Sequence, residues 1–172
     1  MPRFSISARL KSLPLTTLVF VAALSSLGAR LSAEGAGNPF DKLNGAWSGG
    51  GTVKTKDGTL KKVDCKADYK AAANNLAQTL HCTGNDYEIN AKMKLTDKDG
   101  KVKGNWNEAI YDASGGITGK AHDDIIRAVI SGDKFSGRMS LKVSDAGLTL
   151  NMLQRNEDSG TYRLVTSLLL HC

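Results

Sequence analysis

Residues 86–96 read DYEINAKMKLT, and the order of side chains in this stretch decides the fold class. Tyr87, Ile89, Ala91, Met93 and Leu95 alternate with Glu88, Asn90, Lys92, Lys94 and Thr96. Successive side chains of an extended chain point to opposite faces, so the pattern gives one apolar and one wetted face. At helical spacing the same residues would mix. The stretch therefore predicts a half-buried strand. In the same way Phe135, Gly137, Met139, Leu141 and Val143 oppose Lys134, Ser136, Arg138, Ser140 and Lys142, while Val102, Gly104, Trp106, Glu108 and Ile110 oppose Lys101, Lys103, Asn105 and Asn107.

Around these strands the punctuation is regular. Lys56-Asp57-Gly58, Gly84-Asn85, Lys98-Asp99-Gly100, Ser114-Gly115-Gly116, Ser131-Gly132-Asp133, Asp145-Ala146-Gly147 and Asp158-Ser159-Gly160 are turn signals set between extended runs. Further strands are expected near 46–55, 59–71, 76–83, 147–155 and 161–170, and at 117–130 with a break at His122-Asp123-Asp124. The sum is an all-β, antiparallel up-and-down meander of about eight or nine strands. Closing it into a small barrel buries every apolar face with short hairpin loops alone. A two-sheet sandwich is the alternative, but it needs a long crossing connection that the sequence does not offer.

Ahead of the barrel, Arg3, Arg9 and Lys11 precede the apolar run 13–27 (LPLTTLVFVAALSSL), followed by small residues up to Ala33. That order is the pattern of a secretory signal over 1–33. The run falls short of the roughly 20 apolar residues that span a bilayer. Residues 34–44 read as an irregular leader and 45–172 as a single barrel domain, periplasmic or secreted. Residues 1–33 hold four of the 23 basic residues and no acidic one, so their removal takes the formal charge from +6 to about +2. A near-neutral mixture argues against a nucleic-acid or anionic-membrane partner, since such binding needs a clustered basic face, and no stable membrane insertion is expected.

Cys65 and Cys82 lie at equal distances from the centre of a hairpin loop at 72–75. The same register sets Ala67 opposite Leu80, Tyr69 opposite Gln78 and Ala71 opposite Leu76, so the apolar faces coincide. A cross-strand disulfide is expected, favoured by an oxidising compartment. Cys172 is left as a free thiol, an interchain partner or a competitor for that pair. His81-Cys82 and His171-Cys172 do not make a zinc site, because neighbours on a strand face opposite ways and no Cys-x-x-Cys spacing is present. Asp97–Glu108 imitates a calcium loop but has Val102 where the sharp turn needs Gly. No metal or cofactor is expected.

His122-Asp123-Asp124 offers a base and carboxylates without an accompanying nucleophile motif, and reads more simply as a solvated bulge. Glu108 falls on an apolar face, where a carboxylate must be paired, hydrated or neutral. With Trp47, Tyr69, Tyr87 and Trp106 it is expected to line a partly polar cavity. Gln78, Gln154 and Thr166 fall on inward faces too.

Gly45-Ala46-Trp47, followed by Gly49-Gly50-Gly51, resembles the Gly-x-Trp opening of calycin barrels of the lipocalin and avidin type. The resemblance implies that Trp47 closes one end and that Arg163 packs against it. The succession of signal, Trp-Ser-Gly, Cys pair and Gly-x-Trp-x-Glu is similar to small exported proteins of rhizobia-like alphaproteobacteria, which implies fold and compartment but no activity. The functional expectation is an exported, non-enzymatic barrel binding a small apolar or amphipathic ligand inside. The alternative is an envelope interaction protein, such as an inhibitor of the protease or lysozyme type, engaging a protein partner through its loops.

Overall fold

The computed structural model describes residues 40–156 and 158–172; the expected signal and the leader up to residue 39 lie outside the described residues. Ten strands follow in order: β1 (Gly45–Lys54), β2 (Leu60–Ala72), β3 (Asn75–Thr83), β4 (Glu88–Lys98), β5 (Lys101–Glu108), β6 (Ala113–His122), β7 (Ile125–Gly132), β8 (Gly137–Ser144), β9 (Gly147–Arg155) and β10 (Tyr162–His171). Each pairs antiparallel with the next, and β1 pairs with β10 from Ser48–His171 to Val53–Thr166. The barrel is closed. No strand edge among the described residues is left as a template for another chain.

The count rises to ten because the break at His122-Asp123-Asp124 is a turn between two strands rather than a bulge within one. His122 pairs with Ile125, and Asp123 takes the left-handed conformation at φ 51° that a tight hairpin needs. Aspartate tolerates that region, so the turn forms without glycine. Ser114-Gly115-Gly116, expected as a turn, lies inside β6 instead. The chain reverses earlier, over 109–112, with Asp112 at φ 47°. The calcium-like segment is a hairpin turn, Asp99 and Gly100 both at positive φ.

Just ahead of β1, residues Asp41–Leu43 form one 3-10 turn in what the sequence presents as an irregular leader. Phe40 and Leu43 are buried in the main core. Trp47 Nε1 donates to Leu43 O at 2.8 Å, and the Asn44 carboxamide oxygen accepts from Ala71 N at 3.0 Å. This segment plugs the end of the barrel where β1 starts. Leu76, Leu95, Val102, Ile117, Leu141, Leu148, Leu168 and Leu170 pack the interior above it. Odd-numbered strands run away from the plug, so the loops 55–59, 84–87, 109–112, 133–136 and 156–161 gather at the opposite end.

The β2–β3 hairpin has the register read from the sequence, with Cys65 opposite Cys82, Ala67 opposite Leu80, Tyr69 opposite Gln78 and Ala71 opposite Leu76. Cys65 and Cys82 form the disulfide, with a Cα separation of 4.0 Å. Cys172 is free and exposed.

Candidate functional site

The five expected cavity residues do not share one chamber. Trp47 and Tyr69 belong to the plugged end, where both are buried. Gln78 Nε2 donates to the Tyr69 hydroxyl at 3.0 Å, so this inward polar pair satisfies itself within the core. Burial pushes the Tyr69 phenol far up from its ordinary value of 10.0.

Tyr87, Trp106 and Glu108 lie at the opposite end, which we call the mouth. Trp106 spans glycine: its cross-strand neighbour is Gly115, and a Cβ on Gly132 would come within 2.9 Å of the indole Cζ2. A side chain at 132 would press on the ring, and one at 115 would run into the Ser131 carbonyl oxygen, so both glycines answer a close approach. The indole N–H donates to Ser131 O at 3.3 Å, and the ring meets Phe135 edge-on at a centroid distance of 6.2 Å. Tyr87 and Tyr111 form a second aromatic pair at 5.8 Å. Burial, then the neighbouring Tyr111 and Glu108, push the Tyr87 phenol up to about 12.

Glu108 does not face the interior unpaired. One carboxylate oxygen accepts from Asn90 N at 2.7 Å and Ile110 N at 3.2 Å, and the other from Tyr111 N at 2.7 Å. The strand alternation stops here: Ile110 lies in the turn, about half exposed. Glu108 therefore ties the 109–112 turn to β4. Charge-assisted bonds of this kind contribute about 1.5–3 kcal/mol each at most. Glu108→Gln keeps the shape but turns an amide donor toward a backbone donor. The variant is expected to lose about 1–2 kcal/mol in a urea melt, whereas an acid buried for want of alternatives would gain stability on the same change.

The mouth is also where the barrel is least covered. Leu60, Ile110, Tyr111 and Leu164, four of the six large exposed apolar residues among those described, surround it. Lys61 pairs with Asp86 at 2.6 Å on the rim, and Arg163 Nη2 donates to Gln154 Oε1 at 3.1 Å. Arg163 thus sits at the end opposite Trp47 and does not pack against it. Sequence reasoning missed Tyr111, which lies in a turn where periodicity carries no signal, and read Phe135 as an inward residue of its strand without its Trp106 partner.

Ionisation of the two shifted phenols supplies a pH test. Their folded pKa values are raised, so the stability they contribute is complete below pH 10.0 and is lost as pH rises from there towards 12. Ultraviolet phenolate titration of the four tyrosines is expected to show Tyr87 ionising near 12 and Tyr69 ionising only with unfolding. A single transition of all four at the ordinary value would contradict this packing.

Other chemistry-bearing groups are dispersed. His122 Nδ1 meets Asp123 at 2.7 Å on the plug-end turns, both largely exposed, and Asp124 takes Lys42 at 2.6 Å. His81 Nε2 meets Glu88 Oε1 at 2.9 Å beside an open concavity of about 360 Å³ on the outer wall, lined by Ser48, Lys66, Asp68 and Thr79. Among the described residues no group of three or more His, Cys, Asp or Glu side chains could hold a metal ion.

Comparison with known proteins bears on the fold. No family model matches the chain, and no curated protein matches it. Among solved structures, Rv2717c from M. tuberculosis superposes with a TM-score of 0.62 at 12% identity, over 77% of this chain and 96% of that one. The S-type phycobiliprotein lyase CPES from Guillardia theta superposes with a TM-score of 0.51 at 13% identity, over 76% and 88%. At such identities the likeness is one of fold alone. It also corrects the expectation of a non-enzyme: a barrel of this shape bears the name of a lyase, so an all-β barrel without a nucleophile motif is no ground for setting catalysis aside. The Cys65–Cys82 disulfide fits an oxidising, non-cytoplasmic compartment, and no helix among the described residues is long and apolar enough to cross a membrane.

Proposed function

We propose that the chain is an exported barrel, periplasmic or secreted, that takes a small apolar or amphipathic molecule into its mouth. The observation that carries this reading is the aromatic set at the end of the barrel opposite the plug, half-buried Tyr87, Trp106 and Phe135 with exposed Tyr111 beside Tyr87. Aromatic faces supply apolar area with few rotamers to freeze, and Lys61, Glu108, Gln154 and Arg163 around them supply orienting polar groups. The packed plug end confines such a ligand to the upper layer of the barrel. Export is supported by the signal pattern over 1–33, by the disulfide and by the resemblance to small exported proteins.

Mature protein is to be screened by thermal shift against lipids, quinones, haem and simple aromatics. Stabilisation by one class, weakened about tenfold or more in Kd by Tyr87→Ala or Phe135→Ala, is the expected result. Exposed Leu60, Ile110 and Leu164 favour a second reading, a protein docking on the same rim. Recovery of a stoichiometric protein partner, sensitive to Leu60→Asp and with no small-molecule shift, would replace the first reading by the second.

A further inference from the structure

The barrel separates charges that the composition mixes. On the outer wall, Lys98 on β4 stands opposite Lys101 on β5, Lys101 opposite Lys120 on β6, and Lys120 opposite Arg127 on β7. Four cations thus form one unbroken row across four neighbouring strands. At a strand spacing of about 4.8 Å the row covers roughly 15 Å. Lys94, Lys103, Arg138 and Lys142 extend it, and all eight are exposed. The outward positions of β5 to β8 carry no carboxylate, and Asp97 is turned inward beneath the row. Nearby acids are confined to plug-end turns: Asp99 is exposed between Lys98 and Lys101 and Asp145 in the β8–β9 turn, while Asp123 is held by His122 and Asp124 by Lys42. None of the eight cations forms an ion pair within the described residues. Like charges set directly opposite destabilise a sheet. An external anion would relieve that repulsion.

We infer that this wall of the barrel docks on a membrane surface bearing anionic headgroups. The cations are mostly lysines, compact point charges suited to a diffuse negative surface rather than to bidentate recognition of one group. No Trp, Tyr or Phe projects from the outward positions of β5 to β8, and the one ring at the edge of the face, Tyr162, is covered by the Arg138 guanidinium 4.1 Å from its centroid, so no bare stacking platform of the single-strand nucleic-acid kind is presented. Exposed Val129, opposite Arg138 and next but one to Arg127, gives the cationic face an apolar point at its centre. A formal charge near +2 for the mature chain therefore understates what this face presents. The mouth is a separate feature, and this inference does not depend on ligand binding there.

The test is cosedimentation of mature protein with vesicles of phosphatidylcholine alone and of phosphatidylcholine mixed with phosphatidylglycerol. The expected result is binding to the mixed vesicles only, falling steeply with salt. The quadruple variant K98Q/K101Q/K120Q/R127Q should bind at least about a hundredfold more weakly, given what each basic residue contributes at an anionic surface. Lys54, Lys62, Lys66 and Lys70 changed together to Gln, on the opposite wall, should leave binding within a few-fold. Circular dichroism melts of both variants establish that each is folded. Equal loss in the two variants, or no preference for anionic vesicles, would overturn the inference. So would salt-sensitive binding of duplex DNA or RNA without vesicle binding, which would assign the wall to nucleic acid.

Discussion

Trp47→Ala is expected to destabilise the barrel by about 3–5 kcal/mol, the range for removing a large aromatic side chain from a core. Trp47 is 8% exposed and joins the plug to β1 through its hydrogen bond to Leu43 O. Its loss leaves both a cavity and an unpaired carbonyl beside buried Phe40 and Leu43. Trp47→Phe retains most of the packing and should cost about 1–2 kcal/mol. Denaturation followed by far-ultraviolet circular dichroism, which is indifferent to the lost indole, measures both. If the alanine variant unfolds at nearly the wild-type urea concentration, the plug is not part of the cooperative core.

A second large effect is expected at the disulfide. Joining residues 17 apart on β2 and β3 restricts the unfolded chain, and in the chain-entropy picture contributes about 3 kcal/mol. Cys65→Ala with Cys82→Ala should therefore lower stability by about that amount. Reductant should bring the wild-type protein down to the variant's urea midpoint and leave the variant itself unmoved. Cys172→Ala should change neither, because that thiol is free and exposed. A non-reducing peptide map joining Cys172 to either partner would contradict the register of β2 with β3.

That hairpin was legible residue by residue because three local constraints agree: a tight loop, two apolar faces that coincide in one register, and a cysteine on each side of the same rung. The β6–β7 turn was not, since Asp123-Asp124 reverses the chain without glycine, while Gly115 occurs where a close approach, not a turn, requires it. For Glu108 the alternation gives the correct face and misses its partners. Two of its three donors belong to a turn that the strand pattern extends through, and the third, Asn90 N, lies across the sheet. The cationic wall was hidden for a related reason. Lys98, Lys101, Lys120 and Arg127 are scattered along the chain and become neighbours only when four strands are set in register. The mouth needed the same step, because Tyr111 lies in a loop with no periodicity and Phe135, though on an inward face in the alternation, meets Trp106 only once the strands are set in register.

The barrel places its two tryptophans at opposite ends, Trp47 beside the plug and Trp106 in the mouth. Each can report separately. Trp47→Phe leaves Trp106 as the sole indole, and Trp106→Phe leaves Trp47. Titrating both variants with the compound that stabilises the wild-type protein, while following intrinsic fluorescence, locates the site directly. A saturable change in emission is expected from the variant that retains Trp106 and an unchanged signal from the variant that retains Trp47. A response from Trp47 with a silent Trp106 would place binding at the plugged end and contradict the assignment of the mouth.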